Sequence, residues 1–329
     1  MNFPRLMGLA TGHVEARIVQ TAVELAVFDA LEDGALTSEA VAHRLELEPK
    51  AAELLLNALA ALDLLHKQGE LFSLGEAARK YLLKSSPFDI GGMIRFESSV
   101  WHCWEKLPQA IRSGRPVRPA NMYQDDPRET EIFINAMDSL VNARGDAEVV
   151  AGALGWDGIR ELLDVGSGPA SYPICLCRKY PELRATIFDL PGTLALTQKY
   201  VREAAMMERI RLIAGDYRKD PIPGSYDIVF LSNIIHGEGE RENLSLIDKL
   251  VANLNPGGRL VVKDHILDDS RTHPPVGAIF SLLMLLTTAA GRCYSFNEIK
   301  LWMERAGLTN VEQINLPPPL TSSLVIGTR

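Results

Sequence analysis

The apolar positions of the first ninety residues recur with the period of an α-helix, and they predict three helices followed by a β-hairpin. The predicted helices span His13–Leu31, Ser38–Leu45 and Pro49–Leu64, and the hairpin spans Leu65–Leu74. Thr37 is a suitable N-cap before the second helix, and the proline that opens the third favours a helix start. Three helices and a hairpin in this order indicate a winged helix.

Winged helices commonly bind DNA, but the composition of the third helix argues against that function here. This helix is almost wholly apolar, as in Leu54–Leu59, and its charged residues are Lys50, Glu53 and Asp63. Such a helix is suited to burial rather than to contact with phosphates. The broad apolar face of the first helix instead predicts a dimer interface.

From residue 159 onward, short β-rich runs alternate with helices, which is typical of a doubly wound, Rossmann-like α/β domain. Seven strands are predicted, at Glu161–Val165, Ala185–Phe188, Ile210–Ala214, Asp227–Leu231, Arg259–Lys263, Val311–Asn315 and Leu324–Gly327. The last two have no helix between them and therefore predict an antiparallel hairpin. We expect a winged-helix dimerisation domain over residues 1–95 and an α/β domain over 96–329, with a helical linker at 96–150.

Charge and composition narrow the classes of partner. The 329 residues carry a formal net charge of -8 with a pI near 5.5, which argues against a nucleic-acid partner. Of the four cysteines, Cys175 and Cys177 are spaced too tightly for a zinc site. The longest apolar run, Val276–Ala290, is too short to cross a bilayer, and the N-terminus lacks a basic segment followed by an apolar run. We therefore expect a soluble cytoplasmic protein with a small-molecule partner and without metal, nucleic acid or membrane.

A glycine-bearing turn follows the first predicted strand of the α/β domain. The segment from Asp164 through Gly166 and Gly168 runs from an apolar strand into a helix. Glycine permits a positive φ and a close backbone approach to a ligand, and the free N–H groups of a helix start favour an anionic group. Because such turns occur in many α/β proteins, this turn alone leaves the nucleotide open.

Two acidic residues at the ends of later strands narrow the choice of ligand. Asp189 ends the second strand, and its two oxygens can accept hydrogen bonds from both ribose hydroxyls. Asp216 follows the third strand and could accept from an adenine amine, while the ring of Tyr217 could stack on the base. A nicotinamide dinucleotide is the competing ligand, but the chain lacks the G-x-G-x-x-G form, and a reversed terminal hairpin is foreign to a dinucleotide-binding sheet. These features favour S-adenosylmethionine.

Together these segments resemble those of the plant-type small-molecule O-methyltransferases, a family that includes caffeate, hydroxyindole and bacterial antibiotic methyltransferases. The resemblance covers almost the whole chain. Thr21–Leu31 is similar to the first dimerisation helix of the family, and the DVGSG, FDLP, GDY and NPGG segments follow in the family's order and spacing. The resemblance implies a class I methyltransferase sheet, S-adenosylmethionine as cofactor, and a homodimer in which each N-terminal domain reaches the partner's pocket.

Matching positions imply the site residues. The cofactor-binding residues implied in this way are Asp164, Gly166, Gly168, Asp189, Leu190, Asp216, Tyr217 and Ser232. His236 falls where the family has its catalytic histidine, and a neutral imidazole near pH 7 suits the deprotonation of a phenol. Asp264 matches one acid that supports this histidine. The alternative interpretation of His236 is a loop histidine that is satisfied by backbone groups.

The catalytic end of the crevice departs from the family pattern. Cys293 stands where the family has a second supporting acid, and His236-Gly237-Glu238 replaces the usual His-Asp-Trp. Asp264 is followed by His265, and strand alternation predicts that these two side chains point to opposite faces. Because of these departures, methylation of an atom other than oxygen remains an alternative.

The acceptor pocket is predicted from bulky apolar residues. Four of them serve either core packing or substrate contact, namely Trp101, Met137, Phe280 and Met284. The apolar run Ala278–Leu286 suits a flat aromatic acceptor. We therefore expect O-methylation of a hydroxyl on a small hydrophobic aromatic molecule. The alternatives are a carbon methyltransferase acting on a tetrapyrrole, a relative that no longer methylates, and a winged-helix regulator that senses S-adenosylmethionine.

Overall fold

The computed structural model describes all 329 residues, and the chain separates into two compact units. The first unit comprises residues 1–101 and 135–143, and the second comprises residues 102–134 and 144–329. The chain therefore leaves the first unit and returns to it once, within a long helix, before it completes the second.

The first ninety-nine residues form six helices and three short strands. They are α1 Phe3–Glu24, α2 Val27–Ala30, β1 Leu36–Thr37, α3 Ser38–Leu45, α4 Pro49–Ala61, β2 Leu65–Gln68, β3 Leu71–Leu74, α5 Glu76–Tyr81 and α6 Gly91–Ser99. The strands form an antiparallel sheet in the order β1-β3-β2. The helices and strands of these first ninety-nine residues share a core of fully buried apolar side chains that includes Phe28, Leu31, Leu56, Leu59 and Phe72.

The first helix differs from the one predicted over His13–Leu31. It begins at Phe3, where the Asn2 side chain accepts a hydrogen bond from the Arg5 N–H at 3.1 Å, and it ends at Glu24. The predicted continuation is wrong because Ala26 adopts a left-handed conformation with φ of 56°. A residue in this conformation cannot continue a right-handed helix. The chain therefore turns there, and α2 starts separately.

The remaining residues form nine helices, seven strands and one 3-10 turn. They are α7 Trp101–Trp104, α8 Leu107–Ser113, α9 Pro127–Arg144, α10 Asp146–Ala153, β4 Glu161–Val165, α11 Ser171–Lys179, β5 Arg184–Asp189, α12 Pro191–Glu203, β6 Ile210–Ala214, β7 Tyr226–Ser232, the 3-10 turn Ile235–Gly237, α13 Glu240–Ala252, β8 Leu254–Asp264, α14 Pro275–Thr287, α15 Phe296–Arg305, β9 Thr309–Asn315 and β10 Ser323–Thr328. None of the helices in the chain combines the length and the apolar character that crossing a bilayer requires.

The seven strands form one sheet in the order β6-β5-β4-β7-β8-β10-β9. Strands β4 to β8 are parallel, whereas β10 pairs antiparallel with both β8 and β9. This arrangement confirms the predicted doubly wound sheet with an antiparallel terminal hairpin. Crossover connections of this kind place the carboxyl ends of the parallel strands at one edge of the sheet, where α/β proteins bind their ligands.

One face of the sheet packs against α13 and α15 through a cluster of buried apolar side chains. Alternate residues of the central strands, such as Leu163, Val229 and Val262, join Leu246 and Trp302 in this core. Because strand residues alternate between faces, the intervening positions point to the other face. That face carries buried polar side chains toward the carboxyl edge, including Asp164 and Lys263.

Candidate active site

The turn after β4 adopts the glycine conformation that the sequence predicted. Gly166 has a φ of 70° and Gly168 a φ of 60°, which are conformations that residues with a side chain rarely adopt. A Cβ at position 166 would also overlap the side chain of Ile234. The Gly168 N–H donates a hydrogen bond to Asp189 Oδ2 at 2.9 Å. The structure therefore brings the glycine turn together with the end of β5.

Asp164 is a buried carboxyl with an unused acceptor. Its Oδ2 accepts a hydrogen bond from the Ser167 hydroxyl at 2.6 Å, whereas Oδ1 is buried without a partner. The Asn233 side-chain oxygen is a second buried acceptor without a partner. Burial, together with the nearby Asp189 charge, raises the pKa of Asp164 to about 7. A ligand that donates hydrogen bonds would satisfy such groups.

The raised pKa of Asp164 predicts a pH-dependent stability. Because the folded state holds its proton up to about pH 7 and the unfolded chain loses it near pH 4, raising the pH from 5 to 7 lowers the free energy of unfolding. We expect Asp164→Asn to remove about 1–2 kcal/mol of this fall. Urea unfolding at both pH values measures it, with the exposed Asp248→Asn as control. An equal fall in the Asp164 variant and the wild type would contradict the assignment.

Asp189 accepts two backbone hydrogen bonds at the end of β5. Besides the Gly168 N–H, the Leu190 N–H donates to its Oδ1 at 2.7 Å. Burial raises the pKa of Asp189 to about 6, although these donors work in the opposite direction. Leu190 itself is the N-cap residue of α12. The Asp189 carboxylate is therefore held at a fixed place beside the glycine turn.

The structure gives Asp216 and Tyr217 partners that sequence reasoning missed. The Arg218 guanidinium donates to both oxygens of Asp216 at 2.9 Å, and the Arg218 backbone N–H adds a third bond at 3.0 Å. These hydrogen bonds hold the pKa of Asp216 below its usual range. The Tyr217 hydroxyl donates to Glu238 Oε1 at 2.8 Å. Neither contact follows a periodic pattern in the sequence.

The side chains of His236 and Asp264 form a close pair at the ends of β7 and β8. His236 Nδ1 lies 2.8 Å from Asp264 Oδ1 and 3.1 Å from Oδ2. Burial raises the pKa of Asp264, but the two neighbouring imidazoles outweigh it and hold the pKa below its usual value. An ionised carboxylate only accepts hydrogen bonds, so Nδ1 carries a proton, and in the neutral imidazole Nε2 then has a free lone pair. Nε2 can therefore receive a proton.

The rings of His236 and His265 both stand edge-on to Phe280. The ring centroids lie 4.8 Å from Phe280 for His236 and 5.2 Å for His265. His265 Nδ1 lies 2.9 Å from the carbonyl oxygen of Thr321, and its backbone N–H donates to Asp264 Oδ1 at 2.7 Å. Because β8 ends at Asp264, the strand alternation that was expected to separate these residues does not extend to His265.

Cys293, at the position of the missing acid, is a buried thiol. Its backbone N–H donates to the Ser281 hydroxyl at 3.1 Å. Burial raises the pKa of the thiol to about 12, and the Asp264 charge adds to this effect. Cys293 therefore stays protonated at neutral pH and carries no charge to support His236, which leaves Asp264 as the supporting carboxylate.

The remaining predicted residues lie in both units. Ser232 ends β7 and is partly buried. Met284 lies on α14, one turn after Phe280, and is buried. Trp101 and Met137 belong to the first unit and are partly buried there. Their contact with an acceptor stays a prediction.

The turn that carries His236 is fixed by its neighbours. The amide of the buried Asn243 donates to the carbonyl oxygens of Ile235 at 2.9 Å and Glu238 at 3.3 Å. The Tyr294 hydroxyl also donates to the Glu238 carbonyl at 2.6 Å. The backbone of Gly291 packs so closely that a Cβ there would overlap the His236 carbonyl oxygen. The position of His236 therefore depends on Gly291.

Gly237 follows His236 in the sequence and Gly291 contacts it in space, so substitutions at these two glycines allow a matched test of this packing. We expect Gly291→Ala to destabilise the protein by about 1–3 kcal/mol, because backbone atoms must move to admit the methyl group. Gly237→Ala should change stability by less than about 0.5 kcal/mol, since nothing lies within 4 Å of that Cβ. Chemical unfolding of both variants measures the difference. Equal stability of the two variants would contradict the described packing.

Comparison with known proteins shows which family profiles the sequence matches. The profile of the O-methyltransferase domain matches residues 104–309, and that of the O-methyltransferase dimerisation domain matches residues 7–84. The chain is 31% identical to the tetracenomycin polyketide synthesis 8-O-methyl transferase of Streptomyces glaucescens, with 98% of this chain and 96% of that protein covered. It is 30% identical to the 3-hydroxy-5-methyl-1-naphthoate 3-O-methyltransferase of Streptomyces sahachiroi, with coverage of 98% and 94%.

A solved structure is similar over the whole chain. Human N-acetylserotonin methyltransferase, determined in complex with S-adenosylmethionine, superposes with a TM-score of 0.90 at 23% identity. The match covers 99% of this chain and 97% of the human chain. At this identity the similarity concerns the fold, and it agrees with the sheet order described above.

Proposed function

The chain belongs to the O-methyltransferase family, and from this premise we propose that it methylates a phenolic hydroxyl on an aromatic small molecule, with S-adenosylmethionine as the methyl donor. The observation that carries the proposal is the pair formed by His236 and Asp264 at the carboxyl edge of the sheet. It offers a base, Nε2, next to the aromatic ring of Phe280.

The residues of the crevice fit the proposed cofactor. The unpartnered oxygens of Asp164 and Asn233 suit the ammonium group of its methionine part. The carboxylate of Asp189, held by two N–H groups, suits the ribose hydroxyls. The ring of Tyr217 would contact the adenine, and Gly166, Gly168, Leu190 and Ser232 would complete the site. When bound, S-adenosylmethionine supplies a methyl group on a cationic sulfur, which is already activated for transfer.

The protein's own contribution to the chemistry is alignment and proton removal. His236 Nε2 accepts the proton of the acceptor hydroxyl, which makes the oxygen a better nucleophile. Asp264 holds the imidazole in the productive tautomer and stabilises the imidazolium that forms. Because Asp264 is buried and ionised, this support acts in a region of low dielectric.

The acceptor is proposed to be flat and apolar. Two relatives are named for O-methylation of tetracenomycin-type polyketides and of a hydroxynaphthoate. Phe280 stands beside the base, and Met284 follows on the same helix. Soft and aromatic side chains of this kind suit a planar ring system.

The dimerisation domain supports a homodimer built on a winged helix. The first turns of α1 expose several large apolar side chains, which a monomer would leave in water. They are Phe3, Leu6, Met7 and Leu9, at 74%, 54%, 43% and 67% exposure. The four cysteines are free thiols, in keeping with a reducing cytoplasm.

We expect Leu6→Ser with Leu9→Ser to shift a dimer toward monomer, because both exposed side chains lie on α1. Light scattering at several protein concentrations measures the molecular mass. Glu15→Ser, a polar change on the same helix, is the control and should leave the mass unchanged. A wild-type protein that stays monomeric at high concentration would contradict the proposed dimer.

The proposed activity is tested with S-adenosylmethionine that carries a labelled methyl group. Hydroxynaphthoates and polycyclic phenols serve as acceptors, and their O-methyl ethers serve as matched controls. We expect the label to appear on oxygen with the free phenols and not with the ethers. Label found only on carbon or nitrogen would contradict the proposed acceptor atom.

A further inference from the structure

Glu238 occupies an unusual place between the cofactor crevice and the catalytic turn. It follows His236 by two residues and stands where the resembled family usually has a tryptophan. Its Oε1 accepts a hydrogen bond from the Tyr217 hydroxyl at 2.8 Å. Its Oε2 makes no hydrogen bond with the protein, and the side chain is partly buried. A partly buried carboxylate therefore keeps one acceptor unused beside the ring that we assign to adenine.

The backbone of Glu238 is held as firmly as its side chain. Its carbonyl oxygen accepts hydrogen bonds from the Tyr294 hydroxyl and from the Asn243 amide. Both donors are buried residues. The carboxylate thus starts from a fixed Cα and ends on a fixed phenol, so its free oxygen has a defined direction rather than a mobile one.

Asp216, the other acid near this ring, is already engaged. The Arg218 guanidinium covers both of its oxygens, and the Arg218 backbone N–H takes a further lone pair. Lys219 Nζ approaches the same carboxylate at 3.7 Å. An incoming amine would compete with these donors at Asp216. Glu238 Oε2 accepts no hydrogen bond from the protein, although the Arg218 charge also acts on the Glu238 carboxyl.

We propose that Glu238 is a cofactor-binding residue, and that its Oε2 accepts a hydrogen bond from the exocyclic amino group of an adenine stacked on Tyr217. This inference rests on the proposed function. It assigns to this chain a polar recognition of adenine at a position where an indole could offer a stacking surface and an N–H donor but no acceptor for the amino group. A carboxylate oxygen accepts from the 6-amino group, whereas it opposes the carbonyl oxygen of a 6-oxo purine.

The test is calorimetric binding of S-adenosylhomocysteine and of its 6-oxo counterpart, S-inosylhomocysteine. We expect the wild type to bind the adenosyl compound at least tenfold more tightly than the inosyl compound. Glu238→Ala should lose tenfold or more in affinity for the adenosyl compound, with no loss for the inosyl compound. Glu238→Gln should narrow the difference, because an amide can donate to the 6-oxo group as well as accept from the 6-amino group.

Two further variants separate recognition from folding. Tyr217→Phe keeps the stacking ring but removes the hydroxyl that orients Glu238, so it should weaken discrimination less than Glu238→Ala. Glu240→Gln, an exposed carboxylate two residues away, should change neither affinity. Equal losses for both compounds in Glu238→Ala, or an unchanged affinity for the adenosyl compound, would overturn the assignment alone. A wild type that binds neither compound would overturn the proposed function as well.

Discussion

His236→Ala will lower kcat for methyl transfer by about 10²–10⁴-fold, because the variant lacks the group that takes the acceptor proton. The affinity for S-adenosylhomocysteine should stay within about threefold, since the assigned cofactor contacts lie on Asp164, Asn233 and Asp189. Steady-state kinetics on an identified phenol and calorimetry measure the two effects. A loss of turnover with retained binding would place His236 in the chemical step.

The second imidazole provides the matched control for this experiment. His265 stands edge-on to the same Phe280 ring, but its Nδ1 lies against the Thr321 carbonyl. His265→Ala should therefore lower kcat by less than about tenfold. Similar losses in the two variants, or full turnover by His236→Ala, would show that the base is not His236.

Asp264→Asn will also lower kcat by about 10²–10⁴-fold, although it changes a single atom. The amide can donate to His236 Nδ1 and thereby favour the tautomer whose proton sits on Nε2, so the base loses its lone pair. Kinetics over a pH range measure the effect. The exposed Asp248→Asn is the control and should retain wild-type rates.

Asp264→Asn should also lower the stability of the protein at neutral pH. Because the folded pKa of Asp264 lies below its usual value, its ionised form stabilises the fold above about pH 4. This contribution is lost as the pH falls through the folded pKa, and Asp264→Asn should lack it at neutral pH. A variant with unchanged turnover and unchanged stability at pH 7 would contradict the assigned role.

Local patterns predicted most of the sheet. The glycine turn was predicted because its residues need a positive φ, and Gly166 and Gly168 both adopt one. The terminal hairpin was predicted because no helical period separates its strands, and β9 and β10 pair antiparallel. Such features depend on neighbours in the sequence or on backbone geometry, which a sequence states directly.

Contacts between loops could not be predicted in this way. Tyr217 follows β6 and Glu238 follows β7, and these strands are separated by two others in the sheet, so no local pattern in the sequence predicts their hydrogen bond. The break at Ala26 was missed because alanine is a good helix former, so its left-handed conformation has no local signal in the sequence. The partner of Asp216 was missed although it is two residues away, since arginine in a loop is usually solvated.

The alternatives raised by the sequence gain no support from the relatives. The family profile and the relatives at 30% and 31% identity are those of O-methyltransferases. If the chain were a carbon methyltransferase or a regulator, its function would differ from that of these relatives. The altered residues at Glu238 and Cys293 provide local differences, and for Glu238 we propose recognition of the adenine.

The carboxyl edge of the sheet is the proposed binding site of S-adenosylmethionine. Titration calorimetry of the purified protein with S-adenosylhomocysteine tests it most directly, with Asp189→Ala as the comparison. We predict one binding event per protomer in the wild type and at least a tenfold loss of affinity in the variant, because Asp189 lies fixed beside the glycine turn. The absence of binding by the wild type, or equal binding by both proteins, would contradict the account.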